Sequence, residues 1–181
     1  MKRIILVDGN SLMYRAYYGT AFTGNLMQNS KGLYTNAIYA FIRMLDTLIN
    51  QKYDNILVAF DAGKQTFRHE ILDSYKGGRS PMPEEMRVQI PHIKEYLHLM
   101  NIKEYQLPLY EADDIIGSMA RLAISEGYHV DIYSSDKDLM QLVTDSTLIV
   151  KPESGSTWQV TGIKGVEAEW GVKPAKLLDL L

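Results

Sequence analysis

Short unbroken apolar runs alternate along the chain with longer stretches in which apolar residues recur every three or four positions. Arg3 to Val7 is an apolar run behind a charged start, bounded by Asp8-Gly9-Asn10, and predicts a buried strand ending in a turn. Asn55 to Phe60 repeats the pattern, running into Asp61-Ala62-Gly63, and His129 to Ser134 does so again ahead of Asp136. Thr147 to Lys151 is a weaker strand candidate, and Ile102 to Gln106 a short one. Between these runs the period changes. Ile38, Phe41, Ile42, Leu45, Leu48 and Ile49 predict a helix from near Thr35 to before Tyr53, and Ile115, Ile116, Met119, Leu122 and Ala123 predict another, closed by Gly127. Met86, Ile90, Ile93, Leu97 and Met100 form a third stripe entered through Pro83-Glu84-Glu85, which Pro91 should kink or split. Strands buried on both faces and separated by helices predict an α/β fold: three layers, with a mostly parallel central sheet between helices.

Two segments fall outside this alternation. Thr20 to Gly32 is polar and glycine-containing, while Ala62 to Pro83 is long, basic and aromatic, with Phe67, Ile71 and Tyr75 four apart as in a helix. A long segment with its own charge and apolar spacing is more often functional than a passive link.

Composition narrows the class. The 181 residues suit one domain, and 46% hydrophobic with 23% charged residues is the balance of a water-soluble fold. No apolar stretch approaches the ~18 residues of a membrane span, and Asp8 interrupts the N-terminal run too early for a signal peptide, so a cytoplasmic, monomeric protein with no membrane partner is expected. With no cysteine, disulfides, thiolate nucleophiles and thiolate zinc sites are excluded. The net charge of −3 conceals a local excess of cations, because Lys64, Arg68, Lys76 and Arg79 outnumber Glu70 and Asp73 between residues 62 and 80.

The acids have a different distribution. Asp8, Asp61, Asp136 and Asp138 follow predicted strands, and Glu111, Asp113 and Asp114 open a predicted helix, so four chain segments bring carboxylates to the strand ends where open α/β sheets bind ligands. Each acid taken singly has an ordinary alternative, as a helix N-cap or a partner of the helix dipole. Gathered at one edge, they would repel one another and raise their pKa values unless a cation intervened. Oxygen donors select hard ions, and Mg2+ or Mn2+, as a pair in the complete site, can activate water and stabilise a departing oxygen at phosphorus. The histidines His69, His92, His98 and His129 stand apart from these clusters in the sequence and read as surface or packing residues. Tyr75-Lys76-Gly77-Gly78-Arg79 sets two cations beside an aromatic ring on a flexible backbone, which suits phosphate contact and stacking on a base, though such a loop also serves as a plain solvated surface. Lys76 is also a candidate for neutralising charge in a transition state.

The motifs occur in the order of a known family. Leu6-Val7-Asp8-Gly9 with Tyr14-Arg15-Ala16-Tyr17, Thr35-Asn36-Ala37, Phe60-Asp61-Ala62 followed by Thr66-Phe67-Arg68-His69-Glu70, Tyr75 to Arg79, Tyr110 to Asp114, and Asp136-Lys137-Asp138-Leu139-Met140-Gln141-Leu142 are together similar to the 5′ nuclease domain of bacterial DNA polymerase I. That domain belongs to the flap endonuclease superfamily, which has a PIN-like fold. The resemblance implies a magnesium-dependent 5′-to-3′ exonuclease and flap endonuclease that acts on DNA with a 5′ end or flap and on RNA primers, fused to or working with a polymerase. It implies metal binding, direct or through water, by Asp8, Asp61, Glu111, Asp113, Asp114, Asp136 and Asp138. It further implies catalytic phosphate contacts from Lys76 and Arg79, DNA contacts from Arg15, Arg68 and Tyr75 as well, and an arch or clamp built from residues 62–83. After Trp170-Gly171-Val172-Lys173-Pro174 the family continues into a Gly-Asp-x-Ser-Asp-Asn motif and a helix-hairpin-helix-like element. Here the sequence stops at Leu181, and Leu177 to Leu181 reads as a cut inside an amphipathic helix. The expectation is one N-terminal nuclease domain, residues 1–181, with the fold and first metal position intact and with cleavage impaired. A PIN-type ribonuclease and a non-catalytic nucleic-acid-binding module are the competing readings.

Overall fold

A computed structural model describes residues 2–22, 26–63, 65–72, 74–75, 78, 80–152 and 158–180. Its centre is a six-stranded sheet formed by β1 (Lys2–Asp8), β2 (Asn55–Ala59), β3 (Lys103–Tyr105), β4 (Tyr128–Tyr133), β5 (Thr147–Pro152) and β6 (Trp158–Thr161), in the order β3-β2-β1-β4-β5-β6. All pairings are parallel except β5 with β6. The edge strand β6 was not predicted; it is short and half exposed, so it lacks the unbroken apolar run that marks a strand buried on both faces.

Adjacent β1 residues serve opposite layers because side chains alternate across a strand. Ile4 and Leu6 pack with Val130, Ile132 and the helix α6 (Ala112–Ser125), together with Val166 of α7 (Ile163–Trp170). Ile5 and Val7 pack with Val58, Phe60 and the helices α1 (Gly9–Ala21), α2 (Asn36–Ile49) and α5 (Ile90–Leu99). Ile5, Leu6 and Val7 are fully buried, and each such side chain contributes on the order of 1.5–3 kcal/mol. The apolar runs therefore became central strands and the stripes became flanking helices.

The helix α1 was not predicted: it begins in residues that read as a turn, ends in the start of the polar segment, and runs between them through residues given no element. Asp8 is not a turn residue but the N-cap, accepting a hydrogen bond from the Ser11 backbone N–H at 2.9 Å. Pro91 splits the third stripe as expected, into α4 (Glu84–Arg87) and α5, and sits in the first turn of α5 where its missing N–H costs nothing. Between Ala62 and Pro83 only α3 (Arg68–Ile71) is helical among the described residues. The end of the chain forms a 3-10 helix, Pro174–Asp179, in place of the predicted amphipathic helix, with i to i+3 bonds such as Leu180 N–H to the Leu177 carbonyl. Gly127 follows α6 at φ 81°, the left-handed conformation that ends a helix at little cost to glycine. No helix among the described residues is long and apolar enough to cross a membrane.

Candidate functional site

The neighbours of β1 are β2 on one side and β4 on the other, so the chain leaves β1 in one direction and returns on the opposite flank. Such a reversal opens a crevice beyond the carboxyl ends of the strands. A cavity of about 1070 Å³ lies there, and Asp8, Asp61, Glu111, Asp113 and Asp136 all line it.

Two hydrogen-bonded ties set these acids. Ser134, fully buried at the end of β4, donates to Asp8 Oδ2 at 2.8 Å, and its Oγ accepts the Asp136 N–H at 2.9 Å. One hydroxyl thus fixes the carboxylate of β1 and the loop that carries Asp136. On the other side Asp61 Oδ1 accepts the Ala112 N–H at 2.7 Å, which joins the end of β2 to the first turn of α6, between Glu111 and Asp113. Gly9 lets α1 start directly against the sheet, since a Cβ there would lie 2.6 Å from the buried Phe60 ring.

Asp8 is 5% exposed, and the donors it meets, the Ser11 N–H and the Ser134 hydroxyl, are neutral. Burial pushes its carboxyl above the ordinary 3.8, the two hydrogen bonds oppose this, and the charges of Asp61 and Asp136 add to the rise. Ionising Asp8 is therefore unfavourable in the metal-free fold, chiefly because it is buried. No group of three or more His, Cys, Asp or Glu among the described residues is drawn close enough to hold a metal ion. The set nevertheless fits a hard divalent cation: it offers carboxylate oxygen, from four segments, around one cavity.

Two predicted ligands depart from this group. Asp114 does not line the cavity; both its oxygens accept from the Arg68 guanidinium at 2.8 Å. Asp138 is exposed at the start of a 3-10 helix, Asp138–Leu142, with its N–H on Asp136 Oδ1 at 2.9 Å. Of the predicted DNA contacts, Tyr75 lines the cavity and donates to Glu111 Oε2 at 3.3 Å, Arg15 is exposed on α1, and Arg68 is held by Asp114. Lys76 and Arg79 lie outside the described residues.

His69 corrects an expectation, since it stands on the cavity wall beside these acids although the sequence places it apart from them. Its Nδ1 accepts the Thr66 N–H at 3.1 Å and its ring meets Tyr75 edge-on, so local bonding brings it in. Ser134, Ser11 and Lys94 were not predicted. A hydroxyl two residues before Asp136 is a faint signal for the first, whereas Lys94 reaches the cavity from α5 over the Phe60 ring, a placement with no local signature.

A family model described as the 5′-3′ exonuclease, N-terminal resolvase-like domain matches residues 3–171. The chain belongs to this exonuclease family. It is 42% identical over 181 residues to DNA polymerase I of Bacillus subtilis, covering 99% of this chain and 20% of that protein. It is 41% identical to a 5′-3′ exonuclease of Aquifex aeolicus, covering 100% of this chain and 61% of the relative. The chain therefore spans about a fifth of the polymerase and three fifths of the exonuclease. A solved structure of T5 5′-exonuclease with bound divalent metal ions (zinc) shares the fold at TM-score 0.70 and 22% identity, covering 99% of this chain and 65% of that one. Membership in the exonuclease family accounts for the PIN-like order of strands and helices around the acids.

Proposed function

We propose that this chain hydrolyses phosphodiester bonds at the 5′ ends of DNA, as a 5′-to-3′ exonuclease and flap endonuclease that removes flaps and RNA primers. The observation that carries the reading is the convergence of Asp8, Asp61, Glu111, Asp113 and Asp136 on one cavity at the sheet's switch point, in a chain of this family. These five would hold Mg2+ or Mn2+, with a pair of ions in the complete site and Asp138 within reach through water. When bound, the metal would supply a water activated at neutral pH and charge stabilisation for the departing oxygen.

The chain's own groups then have distinct tasks. Ser134 holds Asp8 and the Asp136 loop in register, and Asp61 holds the first turn of α6, so four segments keep their carboxylates aimed at one space. Tyr75 offers an aromatic face at the cavity, suited to stacking on a base near the phosphate. In this reading Lys76 and Arg79 meet the scissile phosphate, Arg15 meets the DNA backbone, and a DNA polymerase, in the same chain or beside it, fills the gap that cleavage opens. The Aquifex relative carries the name of the same activity, and the T5 enzyme's divalent ions support the metal requirement.

The test compares labelled 5′-flap DNA with single-stranded RNA of the same length, in Mg2+, in Mn2+ and with chelator. Cleavage of the flap strand that depends on metal and is abolished by Asp136→Ala is expected. Preferential cutting of RNA would favour a PIN-type ribonuclease, and cleavage that survives chelation or Asp136→Ala would overturn the assignment.

A further inference from the structure

We propose that Asp114 is a positioning residue instead of a metal ligand, and that with Arg68 it forms a charged latch binding α3 to the start of α6. What the latch positions rests on the nuclease reading; the latch itself does not. Asp113 and Asp114 are consecutive on a helix, so their Cα–Cβ bonds diverge by roughly 100° and here the two side chains face different neighbours. Asp113 takes the cavity. Asp114 points to α3, where its Oδ1 accepts from Arg68 Nη2 and its Oδ2 from Nη1, each at 2.8 Å.

This is the bidentate pairing that the planar guanidinium makes best and an ammonium cannot copy. The two side chains are 29% and 22% exposed, so the pair is less screened than one on the open surface. Asp114 Oδ2 also accepts the Glu111 N–H at 3.0 Å, closing the latch on the residue that precedes α6. Glu111 in turn has its carboxylate 3.9 Å from Arg68 Nη1 and within 3.3 Å of the Tyr75 hydroxyl. The backbone reinforces the joint, with the Phe67 N–H on the Leu109 carbonyl at 3.0 Å, and Arg68 lies over the Phe67 ring at 4.6 Å. The foot of the basic segment is thus fastened to the turn that presents Glu111 and Asp113. In this arrangement Arg68 is spent on Asp114 and is not a DNA contact.

The experiment is a double-mutant cycle with Asp114→Asn, Arg68→Gln and the pair, read by thermal unfolding and by Mn2+ affinity from electron paramagnetic resonance. Asp114→Asn is isosteric and Arg68→Gln keeps a polar side chain on the same stem, so both keep the fold within reach of the measurement. A latch predicts that each single variant lowers the melting temperature by about 2–4 °C and that the double variant loses clearly less than the two single losses together, the remainder reflecting the Phe67 contact of Arg68 and the Glu111 N–H contact of Asp114. It also predicts that Asp114→Asn leaves Mn2+ affinity unchanged within about 3-fold once Arg68 is already Gln, whereas Asp113→Asn lowers it on the order of 10-fold or more in either background. Additive losses of melting temperature would overturn the latch, and an undiminished loss of Mn2+ affinity from Asp114→Asn in the Arg68→Gln background would make Asp114 a ligand. Failure of the unmodified protein to bind Mn2+ would count against the nuclease reading alone, leaving the unfolding cycle to decide the latch.

Discussion

Two aspartates of the central sheet are equally buried, each 5% exposed, and differ in their company. Asp131, in the middle of β4 in register with Ile5 and not among the residues that line the cavity, accepts from Arg3 Nη2 at 2.6 Å and from the Tyr53 hydroxyl at 2.8 Å, while the Arg3 guanidinium stacks over the Tyr53 ring at 4.7 Å. Asp8, at the carboxyl end of β1, has two neutral donors and two acidic neighbours. The chain spends a cation on the first, whereas among the described residues the second has none bonded to it. A buried carboxylate that the fold neutralises serves the fold, whereas one left beside other acids is held ready for a cation from outside.

The largest test of this contrast is catalytic. Asp8→Asn keeps the volume and removes the charge, and should reduce flap cleavage on the order of 100-fold or more, above the 10–100-fold typical of losing a group that only supports a metal ligand. Single-turnover rates at saturating Mg2+ measure it. A variant that retains near-normal rates would place Asp8 with Asp131, as an acid the fold alone uses.

The converse test concerns stability. Asp131→Ala strands the Tyr53 hydroxyl and deprives Arg3 of its partner, and should cost about 1–3 kcal/mol in urea unfolding. The cost stays toward the low end because Arg3 is 46% exposed and regains water. Cleavage by the folded variant should be unchanged, since the network lies away from the cavity.

How much of this was legible in the sequence follows from how local each cause is. Runs such as Ile4 to Val7 and Leu57 to Phe60 are short, rich in β-branched and aromatic residues and closed by Asp-Gly or Asp-Ala-Gly, which marks strands buried on two faces, so the layers and the convergence of Asp8, Asp61 and Asp136 could be foreseen. The helix α1 could not, because Tyr14 and Tyr18 on its outer face are as aromatic as the buried Tyr17, and no clean stripe results. The residues on the cavity could be foreseen only as candidates. Arg68 reads as one more cation of a basic segment, and its partner, 46 residues on, is a fact of tertiary packing. The same holds for Asp131 and Arg3, 128 residues apart. Ionic pairing across the fold separates structural acids from chemical ones, and it leaves no periodicity to read.

The smallest effect sharpens the comparison most, because it has opposite signs with and without metal. Burial and acidic neighbours raise the Asp8 carboxyl above its ordinary 3.8, so the folded state holds that proton more tightly than the unfolded chain does. The contribution to stability is therefore fully present below 3.8 and is lost as the pH rises through the folded value. At neutral pH the ionised Asp8 weighs against the metal-free fold, and Asp8→Asn should raise its melting temperature. The gain should fade as the pH is lowered and the native side chain takes up its own proton. Saturating Mg2+ or Mn2+ should reverse the order, since a ligand bound only by the folded state stabilises the protein that binds it more tightly. Melting curves of both proteins at neutral and acid pH, with chelator and with metal, would show the crossing. Asp131→Asn should show no such crossing, because the cation that balances Asp131 is part of the chain.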